Sequence, residues 1–139
     1  MSAINHAPSR LLSVIVVSFN TRDITRECLK LVYEYGAALD MEVIVVDNAS
    51  RDDSADMIAA EFPQATLLRT EKNLGFAGGN NVGIRVAKGR FLLLLNSDAY
   101  LFPDSLSSTL KAMEVNPQWG VLGVKLVGLD DAMQPSARM

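Results

Sequence analysis

Three short polar clusters carry the groups with which this chain could do chemistry: Ser18-Phe19-Asn20, Asp47-Asn48 and Asn96-Ser97-Asp98. Each directly follows an apolar run. Carboxylates flanked by amide and hydroxyl oxygens suit a hard divalent cation such as Mg²⁺ or Mn²⁺, which takes oxygen ligands and is commonly shared with substrate phosphates. Asp98 alone cannot cage a metal, so phosphate oxygens would have to complete its shell. Taken singly, an Asp after a strand more often caps the next helix or turns the chain. Three such clusters at comparable places favour a common site.

The elements that must position them are read from the runs in front. Phe91 to Leu95 is five consecutive apolar residues with no polar face, which predicts a parallel strand buried on both sides, in mid-sheet. Leu11 to Phe19 and Met41 to Val46 have the same apolar, β-branched composition and predict two more strands. Ala65 to Arg69 predicts a shorter one, and Trp119 to Val127 a last one. A helix starting at Asp23 shows apolar spacing at Ile24, Cys28, Leu31, Val32 and Tyr35, with Gly36 as its stop. A second runs through Met57, Ile58 and Phe62 to Pro63, with Ser50 and Asp53 at capping-box spacing. A third is expected from about Gly79 to Lys88, capped by Gly89, and a fourth from Pro103-Asp104 with Leu106, Leu110 and Met113 on one face, ending at Asn116-Pro117. Alternating strands and helices define an α/β fold, a Rossmann-like, mostly parallel sheet with helices on both faces. In such a sheet the three clusters lie along one carboxyl-terminal edge and line one crevice.

The stretch Glu71 to Gly83 holds four of the nine glycines, together with Asn73, Asn80 and Asn81. It reads as a shaped loop whose backbone can approach a ligand. It is neither a dinucleotide fingerprint, because the G-x-G-x-x-G order is missing and the first strand does not precede it, nor a P-loop, because the Walker lysine is missing.

Length and charge bound the rest. A chain of 139 residues, 49% hydrophobic and 21% charged, can bury one core, and its net charge of −3 offers no broad positive field for nucleic acid or anionic lipid. The single cysteine, Cys28, excludes an internal disulfide and reads as a core residue. Residues 1–10, with His6, read as a disordered leader without the apolar core of a signal peptide. No apolar run approaches the roughly 20 residues that span a bilayer. Trp119, Tyr33 and Tyr100 could stack a base or sugar, but aromatics so placed are more often core, and no role is assigned to them.

In this order and spacing, SVIVVSFN, VIVVDNAS, NLGFAGGNNVGI and GRFLLLLNSD resemble the amino-terminal half of family 2 glycosyltransferases of the GT-A fold. The loop and NSD are most similar to the rhamnosyltransferase-type subgroup. The resemblance covers about residues 11–128, a nucleotide-sugar-binding domain, and Gln134 to Arg138 is similar to a segment that follows this half in the same subgroup.

It implies an inverting transfer of sugar from a nucleoside-diphosphate donor, with dTDP-rhamnose a candidate, to a glycan or lipid-linked acceptor. It also implies a role in polysaccharide biosynthesis in the cytoplasm, with peripheral association at the inner face of the membrane. Residue by residue, Ser18 and Asn20 would border the nucleotide pocket, and Asp47 would accept a hydrogen bond from the base. Asn73, Gly75 and Asn81 would lie near the ribose and donor sugar. Asn96-Ser97-Asp98 occupies the place of the D-x-D motif, with Asp98 as the metal and diphosphate carboxylate and Mg²⁺ or Mn²⁺ as cofactor. Asn96 replaces the first Asp of that motif and removes one charge from the metal site. The family's general base comes after residue 139, so the chain is expected to be a fragment. Residues 129–139, including Asp130 and Asp131, then read as an irregular tail at the start of the acceptor half. Two other readings are a sugar-phosphate nucleotidyltransferase, which would need an Arg- and Lys-bearing glycine loop after the first strand, and a non-catalytic interaction domain.

Overall fold

The computed structural model describes residues 8–128 and 133–134. The expectations for residues 1–7 of the leader, for His6, and for 129–132 and 135–139 of the tail lie outside the described residues. Ten elements follow in the order β1 (Arg10–Ser18), α1 (Arg22–Tyr35), β2 (Met41–Asp47), α2 (Ser54–Glu61), β3 (Thr66–Arg69), α3 (Gly75–Ile84), β4 (Gly89–Asn96), α4 (Ser105–Val115), β5 (Leu126–Val127) and β6 (Met133–Gln134). The first four strands make a parallel sheet in the order β3-β2-β1-β4, and β5 and β6 form a separate antiparallel pair. The expected parallel sheet with helices on both faces is what the chain forms.

Strand alternation divides the core. Val14, Val16, Val43 and Val45 turn to one face and bury against Cys28, Leu29 and Val32 of α1, Met57 and Ile58 of α2, and Leu106 and Leu110 of α4. Ile15, Ile44 and Val46 turn to the other face, beneath Val82 of α3. The buried stripe of α1 is Thr25, Cys28, Leu29 and Val32, while Ile24, expected in that stripe, is exposed.

Four expectations are corrected. β4 is an edge strand, not a central one: it pairs with β1 alone among the described residues, and β1 and β2 hold the middle. Its Phe91, Leu93 and Leu95 pack into the larger core. Leu92 and Leu94 remain 45% exposed, because α3 packs over β1 and β2 rather than over β4. Secondly, Trp119 to Val127 is not a long strand; only Leu126–Val127 pairs. Trp119 and Tyr100 are also exposed, whereas Tyr33 is half-buried and stacks on Phe62 at 6.0 Å. Thirdly, no capping box forms before α2. Ser50 accepts the Asn20 N–H instead, and Asp52 caps α2 through the backbone N–H and hydroxyl of Ser54.

The fourth correction concerns the glycine-rich stretch, whose helix runs from Gly75 to Ile84 rather than from about Gly79 to Lys88. Among its glycines only Gly75 has a positive φ, 72°. Gly79 and Gly83 serve close packing on the sheet: a Cβ at Gly79 would lie 2.7 Å from Cγ1 of Val17, and one at Gly83 would lie 2.6 Å from Cγ2 of Ile15. Gly83→Ala should therefore destabilise the protein by about 1–2 kcal/mol, since overpacking against a β-branched side chain outweighs the better helix propensity of alanine. A shift in the urea midpoint at constant m-value measures it; an unchanged or raised midpoint would show that α3 can lift freely.

Candidate functional site

Parallel pairing brings three strand ends to one edge of the sheet. Ser18 stands opposite Asp47 and Val17 opposite Asn96, so the ends of β2, β1 and β4 lie side by side. The only non-glycine residues with positive φ among the described residues are Asn20 (52°), Ala49 (66°) and Asp53 (60°), all in the turns after β1 and β2. Backbone held in this region costs about 1–3 kcal/mol per residue and persists where surrounding bonds enforce it. Here they do. The Asn20 N–H donates to Ser50 Oγ at 2.9 Å, Asn20 Oδ1 accepts the Arg51 N–H at 2.7 Å, and Asp52 Oδ2 accepts the Arg22 N–H at 2.9 Å. Burial alone would raise the Asp52 pKa, but bonds from the Ser54 hydroxyl and the backbone N–H groups of Arg22 and Ser54 hold it below the usual carboxylate value.

Against this edge opens a cleft of about 400 Å³. Asn96, Ser97 and Asp98 from the end of β4 line it together with Asn48, Asn73 and Gly75, and Phe19, Ile24 and Phe76 add apolar wall. A neighbouring cleft, also about 400 Å³, includes Asn20 and Asp52 and shares Thr21 and Ile24 with the first. Asn48 joins the cleft to α3. Its Nδ2 donates to Asn73 Oδ1 at 2.9 Å and to the Gly75 carbonyl at 3.1 Å, while its Oδ1 accepts the Leu74 N–H at 2.9 Å and the Thr70 hydroxyl at 3.2 Å.

Of the eight residues singled out from the sequence, the structure brings Asn73, Gly75, Asn96 and Asp98 into one cleft and Asn20 into the adjoining one. Ser18 does not border the cleft: it is fully buried, with its hydroxyl 2.9 Å from that of Thr25. Asp47 is 3% exposed; its Oδ2 accepts the Ser50 N–H at 3.2 Å, and its Oδ1 is buried with no partner among the described residues. Asn81 is exposed on α3 and is absent from the cleft lining, because the helical turn points Asn80 into the protein in its place. Sequence reasoning passed over the hydroxyls of Thr21 and Thr25 and the bonding of Asn48. The i, i+4, i+7 spacing of Thr21, Thr25 and Cys28 was the available signal.

Cys28 sits beneath the same strand end, its thiol donating to the Asn96 carbonyl at 3.7 Å. Burial, and secondly the charge of Asp98, push its pKa from 9.0 up to about 12. The fold thus favours the protonated thiol. That stability is fully present below the ordinary pKa of 9.0 and is lost progressively as pH rises from 9.0 towards 12. Cys28→Ala should flatten the decline in urea-unfolding free energy across that window, and an undiminished slope would assign the decline to other groups, such as Tyr33, whose hydroxyl burial also raises to about 12.

Among the described residues no three His, Cys, Asp or Glu side chains gather into a metal cage. The Asp98 carboxylate and Asn96 amide are hard oxygen donors, and they fit a divalent cation only as partial ligands that share it with oxygens of a bound molecule.

The α/β sheet with a ligand-sized cleft at its carboxyl edge matches the GT-A glycosyltransferase fold. The structure aligns with a mannosyltransferase from Pyrobaculum calidifontis, solved in complex with GDP-Man and Mn²⁺, at a TM-score of 0.68 and 28% identity over 76% of this chain and 33% of that one. The model for glycosyl transferase family 2 matches residues 13–132, and the chain belongs to that family. It is 34% identical over 107 residues, 77% of this chain, to an uncharacterized glycosyltransferase of Haemophilus influenzae, and 31% identical over 131 residues, 92% of this chain, to a succinoglycan biosynthesis protein of Rhizobium meliloti. It spans 36% of the length of each of these relatives.

Proposed function

We propose that the cleft binds the nucleoside-diphosphate portion of a sugar donor and that the chain is the donor-binding half of an inverting glycosyltransferase. The observation that carries this is the composition of the cleft, in which the Asn96-Ser97-Asp98 end of β4 shares one cavity with Asn73 and with the apolar side chains of Phe19, Ile24 and Phe76. A nucleoside diphosphate has the same two characters, a flat base and a charged, oxygen-rich tail.

In this reading Asn73 and Asn96 offer amide groups to ribose and sugar hydroxyls. Asp98 holds a Mg²⁺ or Mn²⁺ ion jointly with the diphosphate. The ion would offset charge growing on the leaving group. Asp47 would accept the base N–H on its unpartnered Oδ1, which is buried and must first be uncovered. The proposed general base and the acceptor site, for a glycan or a lipid-linked sugar, lie in sequence beyond these 139 residues, and the enzyme would work at the inner membrane face. Within the chain the residues bind and orient the donor and exclude water from one side of it.

Calorimetric titration with UDP, dTDP and GDP, each with and without Mn²⁺, tests the reading and ranks the base. Binding of UDP or dTDP is expected, with dTDP preferred if the donor is dTDP-rhamnose. Absence of binding by all three nucleotides overturns it.

A further inference from the structure

The first turns of α1 present Thr21, Thr25 and Cys28 along one helix face, and that face meets the ends of β1 and β4. Thr21 Oγ1 lies 3.3 Å from Ser97 Oγ, 3.0 Å from Thr25 Oγ1 and 3.3 Å from Ser18 Oγ. The Ser18 and Thr25 hydroxyls are 2.9 Å apart. Cys28 donates to the Asn96 carbonyl, which also accepts the Ala99 N–H at 3.0 Å and so closes the turn that carries Asp98. Thr21 occupies the N-cap position of α1, its carbonyl accepting the Thr25 N–H at 2.8 Å, yet its side chain makes no cap hydrogen bond. The hydroxyl is committed to Ser97 and the buried hydroxyls instead.

We infer that Thr21 is a positioning residue for Asp98, with Cys28 as its second support: α1, rather than β4 alone, sets where the Asp98 carboxylate stands. The inference rests on the donor-binding reading above, since it concerns the carboxylate that reading uses. Among the described residues β4 is an edge strand, paired with β1 alone. The hydroxyl cluster adds support at its end. Four hydroxyls hold four protons: if Ser97 donates to Thr21, the ring of Thr21, Thr25 and Ser18 uses the other three, and each oxygen is satisfied. Chains of this kind polarise one another, so removal of the central oxygen is felt by all of them.

The test separates the oxygen from the shape. Thr21→Val keeps the branched outline and removes the hydroxyl, whereas Thr21→Ser keeps the hydroxyl and removes a methyl. With Mn²⁺ and UDP or dTDP, Thr21→Val should bind roughly fivefold more weakly and Thr21→Ser within about twofold of the parent chain. In an Asp98→Ala background Thr21→Val should add nothing, because its effect passes through the carboxylate. Effects that multiply in the double variant would make Thr21 a direct ligand contact or a general stabiliser, and would overturn the inference, as would a Thr21→Val chain that binds like the parent. Amide exchange at Ser97 and Ala99 gives a readout without nucleotide: in Thr21→Val exchange there is expected to quicken roughly fivefold beyond the change at core amides of β1 and β2, which report any global loss of stability. If the parent bound no nucleotide, the donor reading would fall by itself, and unchanged exchange would then reject the role of Thr21 in ordering the turn.

Discussion

Replacing Asp98 by alanine is expected to weaken nucleoside-diphosphate binding roughly 10- to 100-fold in Mn²⁺ and to leave it equal or slightly tighter in a chelator. The change of sign is the diagnostic part. A carboxylate facing a diphosphate repels it, but Asp98 is exposed, so at about 4 Å in the dielectric of water each unit charge contributes only about 1 kcal/mol before salt screens it. Only a cation held between them converts Asp98 from a repulsive neighbour into a ligand, and a charge-assisted contact of that kind carries about 1.5–3 kcal/mol. Asp98 is exposed at the end of an edge strand, so its removal should change the unfolding free energy by no more than about 0.5 kcal/mol. Asn96→Asp should act in the opposite direction, tightening binding in Mn²⁺ and weakening it in chelator, since it adds a second carboxylate to the same cleft. Titrations of the three proteins under both conditions decide the matter. Equal affinities with and without metal in all of them would remove Asp98 from the donor site.

The alternation of β1 and β2 with their helices was legible because both strands are buried on both faces, and burial on both faces writes an unbroken apolar run. The same signature misled at β4, where five apolar residues read as central. Here Phe91, Leu93 and Leu95 meet the core, whereas Leu92 and Leu94 stand on the face that α3 leaves open. A run of leucines records what the strand can bury, not what covers it. The glycine-rich stretch was misread at its start, where Gly75 to Gly78 suggested loop by backbone freedom although the helix already begins at Gly75; at Gly79 and Gly83, inside the expected helix, it is the absent side chain that matters, letting the helix lie directly on Val17 and Ile15. Contacts across the fold have no sequence period, so the clamp from Asn20 to Ser50 and Arg51 could not be read in advance. Strand ends can be read; which of their side chains face a cavity and which are sealed beneath it, as Ser18 and Asp47 are, depends on the turns that follow.

Asn48→Ala is expected to destabilise the chain by about 2–4 kcal/mol, a large share of the roughly 5–15 kcal/mol that holds a domain together. Asn48 is nearly fully buried and uses both ends of its amide, so truncation strips partners from the Leu74 N–H, the Asn73 side chain and the Gly75 carbonyl at once. Water can reach Asn73 and Gly75, which are exposed, and that keeps the loss below the sum of the separate bonds. Asn48→Asp is the sharper variant. It keeps the shape and the acceptor toward Leu74, but turns a donor into an anion facing two oxygens, so it should destabilise at least as much as alanine at neutral pH. Because the buried position favours the neutral acid, whose proton can be donated to one of those oxygens, stability should recover as pH falls towards the ordinary carboxylate range. Urea unfolding at neutral pH and near pH 4 measures both effects, and faster amide exchange at Leu74 and Gly75 would locate them at the start of α3. If Asn48→Ala moves the midpoint by less than about 0.5 kcal/mol, Asn48 is not what ties α3 to the end of β2, and the cleft wall built from Asn73 and Gly75 is held by the glycine packing alone.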